Sequence, residues 1–143
     1  MAISQALCTS FKVEILDGVH NFTSGSGDTF KMALYTSSAT LGADTTVYGT
    51  TNEVSGTNYV AGGNTLTVSQ SPTSSGTTAY LSFANTTWTN TSFTTRGALI
   101  YNSSKGNKAV AVFDFGSDKT VIGGDFTITF PTADATNAVI RIA

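Results

Sequence analysis

Apolar and polar residues alternate with a period of two along most of the chain, a pattern typical of half-buried β-strands. The clearest early example is TFKMALYT at 29–36, in which Phe30, Met32 and Leu34 lie on one face of a strand. Further strands are predicted at 64–70, 77–83, 95–101, 108–115, 124–130 and 137–143, with a short one at Val47 and Tyr48. Turn-rich segments separate them, and no interior segment has the helical period that parallel crossovers require. The pattern predicts an all-β domain, an antiparallel β-sandwich of the jelly-roll or immunoglobulin-like (Ig-like) kind.

Only the beginning of the chain has a helical period. In SFKVEILDGVHNF, apolar residues recur at helical spacing and charged residues occupy the other faces. This predicts one short helix near 10–21, within an N-terminal segment 1–22 that is followed by the flexible stretch TSGSGD. Phe11 and Ile15 belong to the apolar face. That face either covers the open side of the sheet or attaches the chain to another molecule. We favour covering, because small β-domains commonly close their core in this way.

The longest apolar stretch surrounds a predicted hairpin, RGALIYNSSKGNKAVAVFDFG. If Tyr101 pairs with Ala109, both faces of this hairpin are apolar. One face then packs against the second sheet. We expect the other face, with Ile100, Val110 and Val112, to be covered at least partly by sister subunits, unless the N-terminal segment covers it instead.

The same register predicts an ion pair between the two strands of the hairpin. It places Arg96 opposite Asp114, whose carboxylate would otherwise lie between two phenylalanines without a partner. A cross-strand ion pair explains this carboxylate more simply than a catalytic role does, so we interpret both residues as structural.

Length and charge narrow the range of partners. The chain has 143 residues, which suits a single domain at 1–143, and 11% of them are charged against a usual ~25%. The formal net charge of −2 and the scattered Lys and Arg residues disfavour binding to nucleic acid. No apolar run reaches the ~18 residues of a membrane span, and MAISQALC lacks the features of a secretory signal. We therefore expect synthesis in a cytoplasm and no association with a membrane.

The inventory of reactive side chains is small. His20 and Cys8 are the only histidine and the only cysteine, so the chain has too few members for a disulfide, a Cys-rich metal site or a credible nucleophile–histidine set. The motifs of nucleophile elbows, phosphate-binding loops, dinucleotide-binding turns and metalloprotease helices do not occur. We predict no enzymatic activity, no catalytic residue, no metal and no cofactor. Cys8 is expected to be a packed thiol.

Several aromatic residues leave a carbohydrate-binding module as an alternative. Tyr48, Tyr59, Tyr80 and Trp88 would form a platform for sugar rings if they shared one exposed face. Trp88 has only polar neighbours in NTTWTN and is the best candidate for a surface position. Aromatic residues in strands more often belong to the core, so this interpretation ranks below a structural one.

Several stretches resemble a family of small virion proteins of tailed bacteriophages. They are SFKVEILDGVHNF, DTFKMALYTSSATLGADTTVYGTTNEVSGTNYVAGGNTLT, the hairpin sequence and FPTADATNAVIRI, so the resemblance covers nearly the whole chain from Ser10. It implies a β-rich structural protein of the virion, and the size suits capsid decoration (cement). Such proteins bind the major capsid protein on the outer capsid surface, often as trimers, after synthesis in the host bacterial cytoplasm. A tail or head-to-tail connector protein is the alternative within the virion.

Overall fold

Two antiparallel sheets pack together in the computed structural model, which describes residues 2–143. The elements are β1 (Ala6–Leu7), α1 (Thr9–Leu16), β2 (Phe30–Tyr35), β3 (Asn64–Thr65), β4 (Val68–Ser75), β5 (Thr78–Phe83), β6 (Thr86–Asn102), a 3₁₀ turn (Ser103–Lys105), β7 (Lys108–Ile128) and β8 (Ile140–Ile142). The larger sheet has the order β1-β7-β6-β2-β3 and the smaller sheet the order β4-β5-β8. This arrangement confirms the predicted sandwich of antiparallel sheets with one short helix near the N-terminus.

Strands β6 and β7 form one long hairpin within the larger sheet. The two strands predicted at 108–115 and 124–130 are both parts of β7, which is 21 residues long. They remain one strand because the 17-residue β6 continues to pair with β7 across several β-bulges. At the turn, Gly106 and Asn107 adopt left-handed conformations with φ of 67° and 61°. These conformations allow the chain to reverse direction tightly.

One β-bulge changes the predicted register of this hairpin. Tyr101 pairs with Ala109 as predicted, but Ile100 pairs with Ala111, so Val110 has no partner in β6. A single extra residue on one strand moves the pairs beyond it by one position. Predictions that depend on the register beyond this point therefore need correction.

The N-terminal segment packs against the hairpin, with β1 as the edge strand beside β7 and α1 in contact with β7. β1 pairs antiparallel with β7, and the Cys8 backbone N–H donates a hydrogen bond to the Val110 carbonyl oxygen at 3.0 Å. The helix α1 follows directly and buries Phe11. It ends at Leu16 rather than near residue 21, and Gly18 just beyond it takes a left-handed φ of 72° that stops the helix. The covering role that we favoured is therefore the one observed.

The apolar side chains expected at a subunit contact lie in the core of the single chain. Ile100 and Val110 are 0% exposed and Val112 is 1% exposed, while Phe11 is also buried and Ile15 is half-buried. The prediction that sister subunits cover this face of the hairpin is wrong, because these side chains are already buried within the single chain, where β1 extends the sheet beside β7 and α1 packs against β7. A face closed within the chain needs no second subunit to exclude water.

The strands of the smaller sheet have bounds that differ from those that the pattern predicts. The predicted strand at 64–70 divides between the two sheets, since β3 pairs with β2 and β4 pairs with β5. The one predicted at 137–143 reduces to the three residues of β8, which pairs with β5 at the edge of the sheet. Near Val47, the predicted short strand is a single bridge to Lys108. The edge strand β8 therefore has one unpaired side.

Candidate functional site

The ion partner of Arg96 is Asp118 and not Asp114. The Arg96 Nε atom donates to an Asp118 carboxylate oxygen at 2.9 Å, while the bulge places Asp114 opposite Gly97. Asp114 instead accepts a hydrogen bond from the Gly116 backbone N–H at 2.9 Å. Both side chains of the observed pair are partly exposed, so water screens their attraction. The prediction was wrong in its partner, and the pair that forms is a surface feature.

His20 lies at the centre of a buried polar network. Its Nε2 atom is 3.0 Å from a Glu14 carboxylate oxygen, and its Nδ1 atom is 3.0 Å from the amide nitrogen of Asn102. Because an amide nitrogen only donates, Nδ1 accepts and Nε2 carries the proton that is donated to Glu14. Asn102 also donates to Asp28 at 2.8 Å, and Lys108 lies 3.4 Å from the second oxygen of Glu14. The network thus links the helix, the loop before β2 and the hairpin.

Aromatic rings enclose the imidazole on its other sides. The ring centroid of His20 is 5.0 Å from that of Phe11, 6.2 Å from that of Phe22 and 6.3 Å from that of Phe30. The side chain has no exposed surface, and in residues 2–143 its hydrogen-bond partners are a carboxylate and an amide rather than a nucleophile. The arrangement holds α1 against the sheet, and it does not present an imidazole to a substrate.

Asp28 is the second carboxylate of the network and accepts a hydrogen bond from Asn102. Burial alone would raise the pKa of this carboxyl, but hydrogen bonds from Asn102 and from the Asn21 backbone N–H, together with the charge of Lys105, hold its pKa below the ordinary value. Asp28 is therefore ionised wherever the network is intact. The two carboxylates of the network each lie near a lysine, which limits the net charge of this partly buried region.

A second polar cluster forms around Glu53. Its carboxylate accepts hydrogen bonds from the hydroxyls of Tyr48 at 2.8 Å and Tyr59 at 2.7 Å, and from the Gly62 backbone N–H at 2.7 Å. Tyr101 stacks on Tyr48 with ring centroids 4.4 Å apart and donates to the Gly62 carbonyl oxygen. Burial, reinforced by the negative charge of Glu53, raises the pKa of Tyr101 to about 12 and raises those of Tyr48 and Tyr59 as well. The tyrosines are neutral donors that fasten the loop before β3 to the sheet.

The proposed aromatic platform does not form. Trp88, expected at the surface, is 3% exposed and packs beside Tyr59 and Phe126, with ring centroids 6.3 and 6.1 Å away. Tyr48 and Tyr59 use their hydroxyls in the Glu53 cluster, and Tyr80 belongs to the smaller sheet. The long hairpin brings Trp88 over the core although its sequence neighbours are polar. The carbohydrate alternative thus loses the surface on which it was based.

Cys8 is a packed thiol, as expected. It is 0% exposed, and burial raises its pKa to about 11, with the carboxylates of Glu14 and Asp44 acting in the same direction. A neutral buried thiol is a poor nucleophile and a poor metal ligand. Among residues 2–143, no three His, Cys, Asp or Glu side chains are grouped closely enough to hold a metal ion. No helix in that range is long and apolar enough to span a membrane.

One accessible feature of the fold is an apolar groove between α1 and β8. This α1–β8 groove has a volume of about 250 Å³ and is lined by Leu7, Phe11, Lys12, Ile15, Leu16, Ile140 and Ile142. A neighbouring hollow of about 490 Å³ shares several of these residues and continues to Tyr80 and Leu81 of β5. Leu16 is 88% exposed, and Val13 and Ile142 are more than half exposed. Exposed apolar side chains concentrated at one place mark a surface suited to a protein contact.

Sequence reasoning located only half of this groove. It placed Phe11, Ile15 and Leu16 among the apolar residues at helical spacing, but it assigned no special position to Ile140 or Ile142. A signal was present in the chain end NAVIRIA, where apolar residues alternate with Arg141. That alternation predicts a strand but does not say which strand or helix covers its apolar side. No protein-family model, curated protein or solved structure was found to match this chain.

Proposed function

We propose that this chain is a non-enzymatic structural protein of a tailed-bacteriophage virion. The observation that carries the proposal is the exposed apolar surface around the α1–β8 groove, on a β-domain whose only histidine and cysteine are both enclosed in the fold. The resemblance of the sequence to small virion proteins supports the same assignment. A chain of this kind acts by adhesion and rigidity, and it needs no catalytic group.

Among virion roles, we propose capsid decoration. In this role the chain binds the major capsid protein on the outer surface of the head and braces adjoining subunits. Bracing requires a rigid domain, and the two polar clusters support this role because they fix the N-terminal segment and the loop before β3 to the sheet. A shell offers many identical sites, so a contact that is weak for one copy becomes effective for a bound oligomer.

Trimeric binding is part of this proposal. Since Ile100, Val110 and Val112 are buried within the chain, a contact between copies must use other side chains. Closed cyclic symmetry would match the local three-fold positions of a shell. A tail or connector protein with the same fold would instead form a ring of six or twelve copies, so the subunit count separates the two roles.

Composition of the virion tests the proposal. We expect the chain in purified particles of the phage that encodes it, located by cryo-electron microscopy on the outer face of the head in groups of three. Particles from a deletion strain should assemble but release their DNA at a lower temperature than the parent. Absence of the chain from purified particles would refute the virion assignment. A ring at the tail or connector would refute decoration alone.

A further inference from the structure

We propose that the α1–β8 groove binds an extended segment of another protein, with apolar residues at alternate positions and acidic residues beside them. The inference rests on the proposed function in taking that protein to be a neighbour in the virion. It goes further by naming the binding surface and the chemistry of what it recognises.

The groove requires an apolar occupant. Its walls are carbon-rich side chains from β1, α1 and β8, and the only charged member of its lining is Lys12. At its rim Leu16 is 88% exposed and Ile142 is 56% exposed, so both would lose contact with water when a partner docks. Leu16 is the last residue of α1, and the chain turns away at Gly18, so little of the Leu16 side chain is buried in the fold.

The free edge of β8 favours an extended occupant. β8 pairs with β5 on one side, and within residues 2–143 no strand pairs with it on the other. Ile140 and Ile142 lie on the face that lines the groove, since they are two residues apart. A segment added at this edge would bond to the β8 backbone and place every second side chain in the groove.

Charge distinguishes an acidic partner from a second copy of the chain. Lys12 lies in the lining, whereas Arg141 lies on the opposite face of β8 from the two isoleucines, where its guanidinium donates to the Ala135 carbonyl oxygen at 3.2 Å and would meet the outward side chains of an added strand. Neither forms an ion pair in the part of the chain that the structure describes, and no carboxylate lines the groove. Two copies meeting through this surface would bring the same cations together, whereas Asp or Glu beside an apolar segment would pair with them.

A selection with a random peptide library tests this inference and requires no identified partner. A library of displayed random dodecapeptides is selected against the immobilised full-length chain, and in parallel against the variant Leu16→Lys with Ile142→Lys. We expect peptides enriched by the parent but not by the variant, with apolar residues at alternate positions and at least one Asp or Glu. The matched control is Val60→Lys with Ile122→Lys, which adds the same two charges at exposed apolar positions outside the groove lining and should retain the enriched peptides.

Charge reversal tests the acidic preference separately. In Lys12→Glu with Arg141→Glu, the peptides enriched by the parent should bind at least about tenfold more weakly, and basic peptides should replace them in a new selection. Lys119→Glu is the control for each single reversal, Lys12→Glu or Arg141→Glu, since Lys119 is exposed on β7 and its ammonium group donates to the Ser117 hydroxyl. Circular dichroism and thermal melting verify that each variant is folded.

Three outcomes would overturn the inference. They are the absence of peptides that depend on Leu16 and Ile142, enrichment of neutral or basic motifs, and self-association of the parent that Leu16→Lys abolishes. The last would identify a second copy as the occupant. Failure here and failure of the proposed function are distinguishable, because the presence of the chain in virions is measured independently of peptide binding.

Discussion

The backbone N–H of Cys8 donates a hydrogen bond to the carbonyl oxygen of Val110, at 3.0 Å. Val110 is the extra residue of the β-bulge and has no partner in β6, and Cys8 immediately precedes α1. One contact therefore joins the irregular point of the hairpin to the N-terminal segment, and it continues the pairing of β1 with β7 by one residue.

Truncation of a hairpin side chain should lower stability without changing any assembly state. Val112→Ala removes two carbon atoms from a side chain that is 1% exposed, so we expect a loss of about 2 kcal/mol in the free energy of unfolding, measured by urea denaturation. Val60→Ala, at a position that is 75% exposed, is the matched control and should change stability by less than about 0.5 kcal/mol. A folded Val112→Lys variant of unchanged stability would show that this side chain is not in the core.

The exposed ion pair on the hairpin should contribute little. A double-mutant cycle with Arg96→Ala and Asp118→Ala should give a coupling energy below about 1 kcal/mol, which decreases further at high salt. The same cycle with Asp114→Ala in place of Asp118→Ala should give no coupling, because Asp114 caps the Gly116 N–H instead of meeting Arg96. Stronger coupling to Asp114 than to Asp118 would contradict the observed register.

Stability should fall in acid partly through Asp28. Its pKa is lower in the folded chain than the ordinary value of 3.8, so its ionised form stabilises the fold above that value, and this contribution is lost as the pH falls toward the lowered pKa. We expect Asp28→Asn to be less stable than the parent at neutral pH and to lose less stability between about pH 5 and pH 2. Asp17→Asn removes the same charge from an exposed position and serves as the matched control. An unchanged acid slope in Asp28→Asn would contradict this role.

Removal of the Glu53 carboxylate should release the tyrosines that it holds. Burial comes first and the charge of Glu53 second in raising the pKa of Tyr101 to about 12, so Glu53→Gln should lower that pKa by removing the charge alone. Because the folded pKa is raised, the contribution of Tyr101 to stability is complete below about pH 10 and is lost as the pH rises through about 12. Ultraviolet absorbance of the phenolate measures the titration. Glu53→Ala should also lower stability, by about 2 kcal/mol or more, since buried donors lose their acceptor.

The sequence by itself determined the fold class and the small chemical inventory. Period-two alternation is a local property of a strand, and it identified β2 and β5 to within one residue at each end. The N-terminal helix was predicted from its helical period, although its end depended on Gly18. Local patterns predict these elements because the conformation of a short segment, and the face on which each side chain lies, depend mainly on the residues of that segment.

Only the tertiary structure decided the register, the partner of Arg96 and the face that remains exposed. The apolar pattern of the two strands is the same with or without a bulge at Val110, so the sequence near Val110 does not predict the bulge. The bulge nevertheless changes the register and moves Asp114 away from Arg96. Likewise Val112 and Leu16 are both apolar, yet Val112 is buried and Leu16 is 88% exposed, and only the packing of the folded chain decides this difference. A side chain is buried only when a second surface packs against it. Which two surfaces pack together depends on the whole fold and not on the sequence of either segment alone.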